Sequence, residues 1–192
     1  MQSLPFVFRT VAETIPSAAR YLSAGERAVA EWSSRLMPKT KPRIGLVWSG
    51  STAHKNDHNR SIDLSVCLPL LNYDAHWVSL QKEIREKDRT VLQQVVGLPF
   101  FGGDLEDFSD TAALASLMDL IITVDTSVAH LAAAMGRPVW ILLPYNSDWR
   151  WLLDRDDSPW YPTVRLFRQE RIGDWAGVIR EVNQFLSLLF SK

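Results

Sequence analysis

The sequence predicts an α/β fold, a mostly parallel sheet with helices on both faces. Three observations predict it. Short, largely apolar runs such as Ile44–Trp48, Leu120–Val124 and Val139–Leu143 have strand length and suit strands buried on both faces. Stretches with helical spacing separate them, and strand–helix alternation of this kind builds a parallel sheet with right-handed crossovers. Glycine and proline punctuate the alternation, as where Leu131–Met135 gives way to Gly136 and Pro138.

Residues 1–23, with Pro5 and Pro16, read as an irregular arm. Residues 24–37 read as a helix, because Ala28, Val29, Trp32 and Leu36 share one face. Met37–Pro42 is a linker with two prolines. The spacing then predicts a strand over Arg43–Trp48, a polar loop over Ser49–Ser61 and a short helix over Asp63–Leu71. A strand follows at Ala75–Leu80, a helix at Glu83–Val96, and a short strand or extended turn at Pro99–Gly103. Asp110–Met118 is expected to be helical, capped by Asp110 or Ser109. Strands at Leu120–Val124, Val139–Leu143 and Thr163–Phe167 and a helix at Asp174–Leu189 complete the pattern. The division that results is an arm and helix over residues 1–41 and one Rossmann-like domain over residues 42–192.

The chain has 192 residues, 46% hydrophobic and 22% charged, which suits one good core. A net charge of -1 gives no reason to expect nucleic acid or an anionic membrane as partner. No apolar run approaches the roughly 20 residues of a membrane span, and the apolar part of Met1–Thr10 is too short for a secretory signal. The lone Cys67 excludes an intrachain disulfide, fits a reducing cytoplasm and reads as a buried structural thiol.

Asp125-Thr126-Ser127-Val128-Ala129-His130 carries the sharpest chemical signal. It leaves the carboxyl end of an expected strand and opens a helix, where ligands of open α/β sheets bind. Free backbone N–H groups, two hydroxyls, a histidine and a carboxylate meet within one helical turn, which suits a phosphate or a sugar. The loop after the first strand is the second candidate. Ser49 and Gly50 bring a hydroxyl and a close backbone, and Lys55 and Arg60 bring charge for a diphosphate. Gln81 and Lys82 end the next strand and are candidates on the same grounds. Each of these segments also reads as solvated surface. Aromatics in Tyr145–Trp151 and Ser158–Pro162 either stack on a base, face another domain or pack under their own loops.

Other chemistries fit poorly. Gly45 and Gly50 have Walker A spacing, but Ser51 stands where its lysine belongs, and no G-x-G-x-x-G follows a strand. His54 and His58 lack a strong third metal ligand. Asp125, Ser127 and His130 are triad residue types crowded into six positions, without G-x-S-x-G.

Asp125-Thr126, His130-Leu131-Ala132-Ala133-Ala134, Gly136 and Pro138 together resemble the donor-site motif of the bacterial heptosyltransferase family, glycosyltransferase family 9. Ile44–Gly50 with Asn59-Arg60-Ser61, then Asp148–Leu153 and Ser158–Pro162, look like a bacterial subgroup in which tetratricopeptide repeats precede a glycosyltransferase-like domain. The resemblance runs roughly from Pro42 to Gln169. It implies a GT-B architecture of two Rossmann-like domains, of which this chain is the C-terminal, donor-binding half. It implies an inverting transfer from a nucleotide-diphosphate-sugar, with no metal or other cofactor. The Thr126 and Ser127 amides would hold phosphate, Asp125 sugar hydroxyls, and His130 phosphate or sugar. Lys55 or Lys82 would stabilise the departing diphosphate. Many family members carry glycine where Ser127 stands, so a different donor fit is expected. The implied partners are the nucleotide sugar, an N-terminal GT-B domain and tetratricopeptide repeats. An apolar face where that domain sits also favours a homodimer of the isolated chain. Two rivals share the fold: a non-catalytic interaction module with a vestigial site, docking through Val182, Phe185, Leu186 and Leu189, and a nucleotide-sugar epimerase or hydrolase.

Overall fold

The structure is a computed structural model that describes residues 4–189. Residues 1–3 of the apolar N-terminal stretch, and residues 190–192, lie outside the described residues. Five strands form one sheet: β1 (Arg43–Val47), β2 (His76–Ser79), β3 (Leu120–Val124), β4 (Val139–Leu143) and β5 (Val164–Arg168). Their order is β2-β1-β3-β4-β5, and every neighbouring pair is parallel. β1, β3 and β4 are buried along their whole length, as continuous apolar runs require in a parallel sheet covered on both sides.

Strand alternation divides the core in two. Ile121, Ile141 and Val47 face one layer, and Ile122, Leu142 and Leu46 face the other. The first layer is covered by α2 (Glu26–Arg35), α6 (Phe108–Ser116) and α7 (Ser127–Ala134). The second lies under α4 (Leu64–Cys67), α5 (Glu86–Gln94) and α8 (Trp175–Leu189). Two short helices, α1 (Leu4–Val7) and α3 (Asp57–Arg60), lie in the N-terminal arm and in the loop after β1.

Several boundaries differ from expectation, each for a local reason. The helix expected from Asp110 begins at Phe108, because Asp107 is its N-cap and accepts from the Ser109 and Asp110 N–H groups at 2.7 and 3.4 Å. Asp110 instead accepts from Trp32 Nε1 at 3.1 Å and the Glu106 N–H at 3.0 Å. This bond, and the burial of Trp32 beside Phe101, seat α2 on the same core as the strands. Asp63–Leu71 splits into α4 and a 3₁₀ turn over Leu68–Asn72, with Pro69 in its first turn. Pro99–Gly103 contributes a single bridge, from Phe100 to Ser79. α8 also departs from its expected role. Val182 and Leu186 are fully buried and Phe185 packs edge-on against Phe167 at 5.5 Å, so most of the expected docking face is occupied inside the molecule, and only Leu189 of the four is exposed. Among the described residues, no helix is long and apolar enough to cross a membrane.

α7 ends as its sequence predicts. Gly136 takes φ +68°, its N–H bonds the Ala133 carbonyl at 2.9 Å, and the Arg137 N–H bonds the Ala132 carbonyl at 3.0 Å. The arm then closes over this end. The Tyr21 and Leu22 N–H groups donate to the Ala134 carbonyl at 2.9 and 3.1 Å.

Candidate functional site

β2 lies to one side of β1 and β3 to the other. The chain therefore leaves the carboxyl ends of β1 and β3 in diverging directions and opens a crevice at this switch point. Two adjoining clefts occupy it, of about 530 and 840 Å³, and they share His54, Arg60, Thr126 and Ser127. The smaller continues along Asp125, His130, Asn146, Ser147, Asp148 and Arg150. The larger is walled by Ser49, Gly50, Gln81, Lys82 and the start of α6.

The Asp125–His130 turn has the geometry its sequence promised. Thr126 is the N-cap residue of α7, but its hydroxyl turns inward to Thr123 Oγ1 at 3.3 Å and makes no cap bond. The first N–H groups of α7 are thus left for a ligand, at the positive end of the helix. Ser127 is exposed beside them. Asp125 faces the smaller cleft, and its one ion-pair partner among the described residues is His130, with Nε2 3.8 Å from Oδ1.

His130 is enclosed. Trp151 stacks on its ring at 5.0 Å and 17°, and Tyr161 Oη lies 3.1 Å from its Nδ1. Burial holds its pKa below the ordinary histidine value, and Arg150 pushes the same way. The Asp125 and Asp148 carboxylates pull against them. Burial raises the Tyr161 hydroxyl, and so does its hydrogen bond with the Tyr21 side chain.

Arg60 is the brace between the two loops. Its NH1 donates to the Asp125 carbonyl at 2.7 Å, and its Nε lies 3.5 Å from Asp57 Oδ1. Asp57, itself buried, also accepts from Ser61 Oγ at 2.7 Å and from Arg85. Ser61 Oγ in turn accepts from the Gly50 N–H at 3.0 Å. A Cβ on Gly50 would stand 2.5 Å from the Arg60 guanidinium, so the glycine here admits that side chain.

The other candidates divide. Gln81 is buried and its amide is fully engaged: Oε1 accepts from the Trp48 and Ser49 N–H groups at 3.2 Å, and Nε2 donates to Ser49 O and Oγ at 2.7 and 3.0 Å. Gln81 and Ser49 therefore clamp β1 to β2 and shape the wall of the larger cleft. Lys82 Nζ is anchored on the opposite wall by the Leu105 and Glu106 carbonyls. Lys55 is exposed and lines neither cleft. His54 lines both, whereas His58 lines neither. Among the described residues no group of three or more His, Cys, Asp or Glu side chains converges as a metal site. Cys67, the last residue of α4, is buried, and burial raises its thiol pKa far above the ordinary value, so it is inert there.

Sequence reasoning missed the frame around these residues. Asp57 and Arg85 carried no motif, and Trp151 and Tyr161 stood out only as members of aromatic segments. Arg85 meets Asp57 across 28 positions, and Trp151 and Tyr161 meet His130 across 21 and 31, beyond the reach of local spacing.

Residues 105–153 match the family model of Glycosyltransferase family 9 (heptosyltransferase). That segment contains both the Asp125–His130 turn and Asp148–Leu153. The chain is 29% identical over 173 residues to Protein FlbA of Caulobacter vibrioides, covering 87% of this chain and 29% of that protein. In structure it is similar to ADP-heptose lps heptosyltransferase II of E. coli, with TM-score 0.59, 17% identity and coverage of 94% of this chain and 58% of that one. It is also similar to the glycosyl transferase family 9 structure from Veillonella parvula DSM 2008, with TM-score 0.55, 14% identity and coverage of 88% and 54%. The fold is therefore α/β and similar to the GT-B heptosyltransferase fold. The chain spans just over half of each of these structures and under a third of the curated relative.

Proposed function

We propose that this chain is the donor-binding, C-terminal half of an inverting, metal-independent GT-B glycosyltransferase. The observation that carries the reading is the convergence of Asp125, Ser127, His130 and Arg60 on one cleft at the switch point of the sheet. The donor diphosphate lies against the first N–H groups of α7 and the Ser127 hydroxyl, where the helix dipole favours negative charge. Arg60 and Lys82 line the larger cleft as its positive groups and offset the charge that develops on the leaving diphosphate. Asp125 accepts from sugar hydroxyls, and His130 touches phosphate or sugar.

In the reaction, an acceptor hydroxyl attacks the anomeric carbon from the face opposite the diphosphate. The carbon–oxygen bond to the diphosphate breaks, and its electron pair leaves with the nucleotide. The acceptor proton passes to a base supplied by an N-terminal domain. The chain by itself binds nucleotide sugar weakly, turns over little and acts in the cytoplasm. Tetratricopeptide repeats belong to the same assembly, and the isolated chain dimerises through the face that the N-terminal domain covers.

The test is a thermal-shift panel of ADP, UDP, GDP, CDP and their sugars on the wild type, Asp125→Ala and His130→Ala. One nucleotide should raise the wild-type Tm, and the variants should lose that shift. A panel in which no nucleotide stabilises the wild type, with or without an added N-terminal domain, refutes the reading.

A further inference from the structure

The surroundings of His130 determine which of its nitrogens carries the proton. Nε2 points toward the Asp125 carboxylate, 3.8 Å away, beyond hydrogen-bond length but near enough for the charge to decide. A lone pair on Nε2 would face that carboxylate and be repelled, whereas an N–H is attracted. Nδ1 must then be the acceptor, and Tyr161 Oη, 3.1 Å away, the donor. The neighbouring Tyr21 side chain also raises the Tyr161 hydroxyl pKa and so favours its protonated, donating form. The Trp151 ring, stacked at 17°, fixes the imidazole plane so that neither nitrogen can swing out of this line. Tyr21 is itself anchored, because its N–H and that of Leu22 are held by the Ala134 carbonyl.

We propose that Tyr161 is a positioning residue that locks His130 in the Nε2–H tautomer and aims that N–H into the cleft beside Asp125 and the start of α7. The donors then point one way: Tyr161 O–H to Nδ1, and Nε2–H to the ligand. Burial keeps the ring neutral near pH 7, so a fixed tautomer is what distinguishes a donor from an acceptor here. For the donor-site reading, on which this consequence rests, a fixed N–H donor suits a phosphate oxygen and a bare nitrogen does not.

The measurement is a two-bond ¹H–¹⁵N correlation spectrum of the full chain labelled in histidine, with the His130 signals identified by their loss in His130→Gln. The wild type without ligand should show Nδ1 bare and Nε2 protonated. Tyr161→Phe keeps the ring and removes the hydroxyl, and it should give a mixed or reversed tautomer. Tyr21→Phe leaves Tyr161 in place, and it should shift the tautomer less. The nucleoside diphosphate found in the thermal panel should bind Tyr161→Phe about fivefold more weakly, the effect of one neutral hydrogen bond. A wild-type ring protonated at Nδ1, or a tautomer unchanged in Tyr161→Phe, overturns the proposal. The tautomer is read without ligand, so a protein that shows it and binds no nucleotide refutes the donor-site reading and leaves this one standing.

Discussion

Replacing Arg60 with alanine separates a brace from a ligand contact. In the free protein Arg60 donates a 2.7 Å charge-assisted bond to the Asp125 carbonyl, and its side chain is only 15% exposed. Losing such a bond costs about 1.5–3 kcal/mol. Asp57 is not orphaned by the change, because Arg85 and Ser61 still hold it, so its ion pair with Arg60 adds little. For a chain of this size, a loss of about 2 kcal/mol lowers Tm by roughly 4–8 °C. Urea unfolding followed by tryptophan fluorescence should show a lower midpoint at an unchanged slope. The Asp125 carbonyl begins the turn into α7, so nucleotide affinity should fall with stability. Arg60→Lys should recover less than half of the loss, because a point charge cannot span Asp57 and the carbonyl together. If Arg60→Ala leaves stability within about 0.5 kcal/mol of the wild type, the range of ordinary surface substitutions, while abolishing nucleotide binding, Arg60 is a ligand contact alone and the brace argument is wrong.

Two further outcomes follow from the same geometry. Gly136→Ala puts a Cβ on a residue at φ +68° and within 2.5 Å of the Ala19 carbonyl, so it should cost about 1–3 kcal/mol and make the arm around residues 19–22 more sensitive to protease; an unchanged urea midpoint would refute the packing of the arm on α7. His130 has its folded-state pKa lowered by burial, so the unfolded chain binds more protons as pH falls through the ordinary histidine value of about 6.5. Its contribution to stability is present above that value and lost below it. The slope of stability against pH between about 6.5 and 5 should be shallower in His130→Gln than in the wild type, and identical slopes would show that His130 is not buried in this way.

Much of the site was legible because its signals are local. The strand at Leu120–Val124, the turn at Asp125 and the stop at Gly136–Pro138 depend on periodicity and backbone preference within a few residues, and each stands where the spacing puts it. The cap of α6 shows the limit of such reasoning. The spacing offers Asp110 or Ser109 as the cap, yet Asp107 takes the role while Asp110 bonds Trp32, 78 positions away. Gln81 shows it again. A polar residue at a strand end reads as a ligand contact, yet the pairing of β1 with β2 turns its amide onto Ser49 and uses all of it in the wall.

The sequence alone determined that this is an α/β chain with a polar turn at the end of a buried strand, because those features are written in apolar periodicity, helix stops and residue chemistry. Only the tertiary structure decided the strand order β2-β1-β3-β4-β5, and with it which loops share the crevice. It set Arg60 against the Asp125 carbonyl 65 positions away, and Tyr161 against His130 31 positions away. Such contacts depend on how strands are ordered and helices laid across them, which no spacing along the chain encodes.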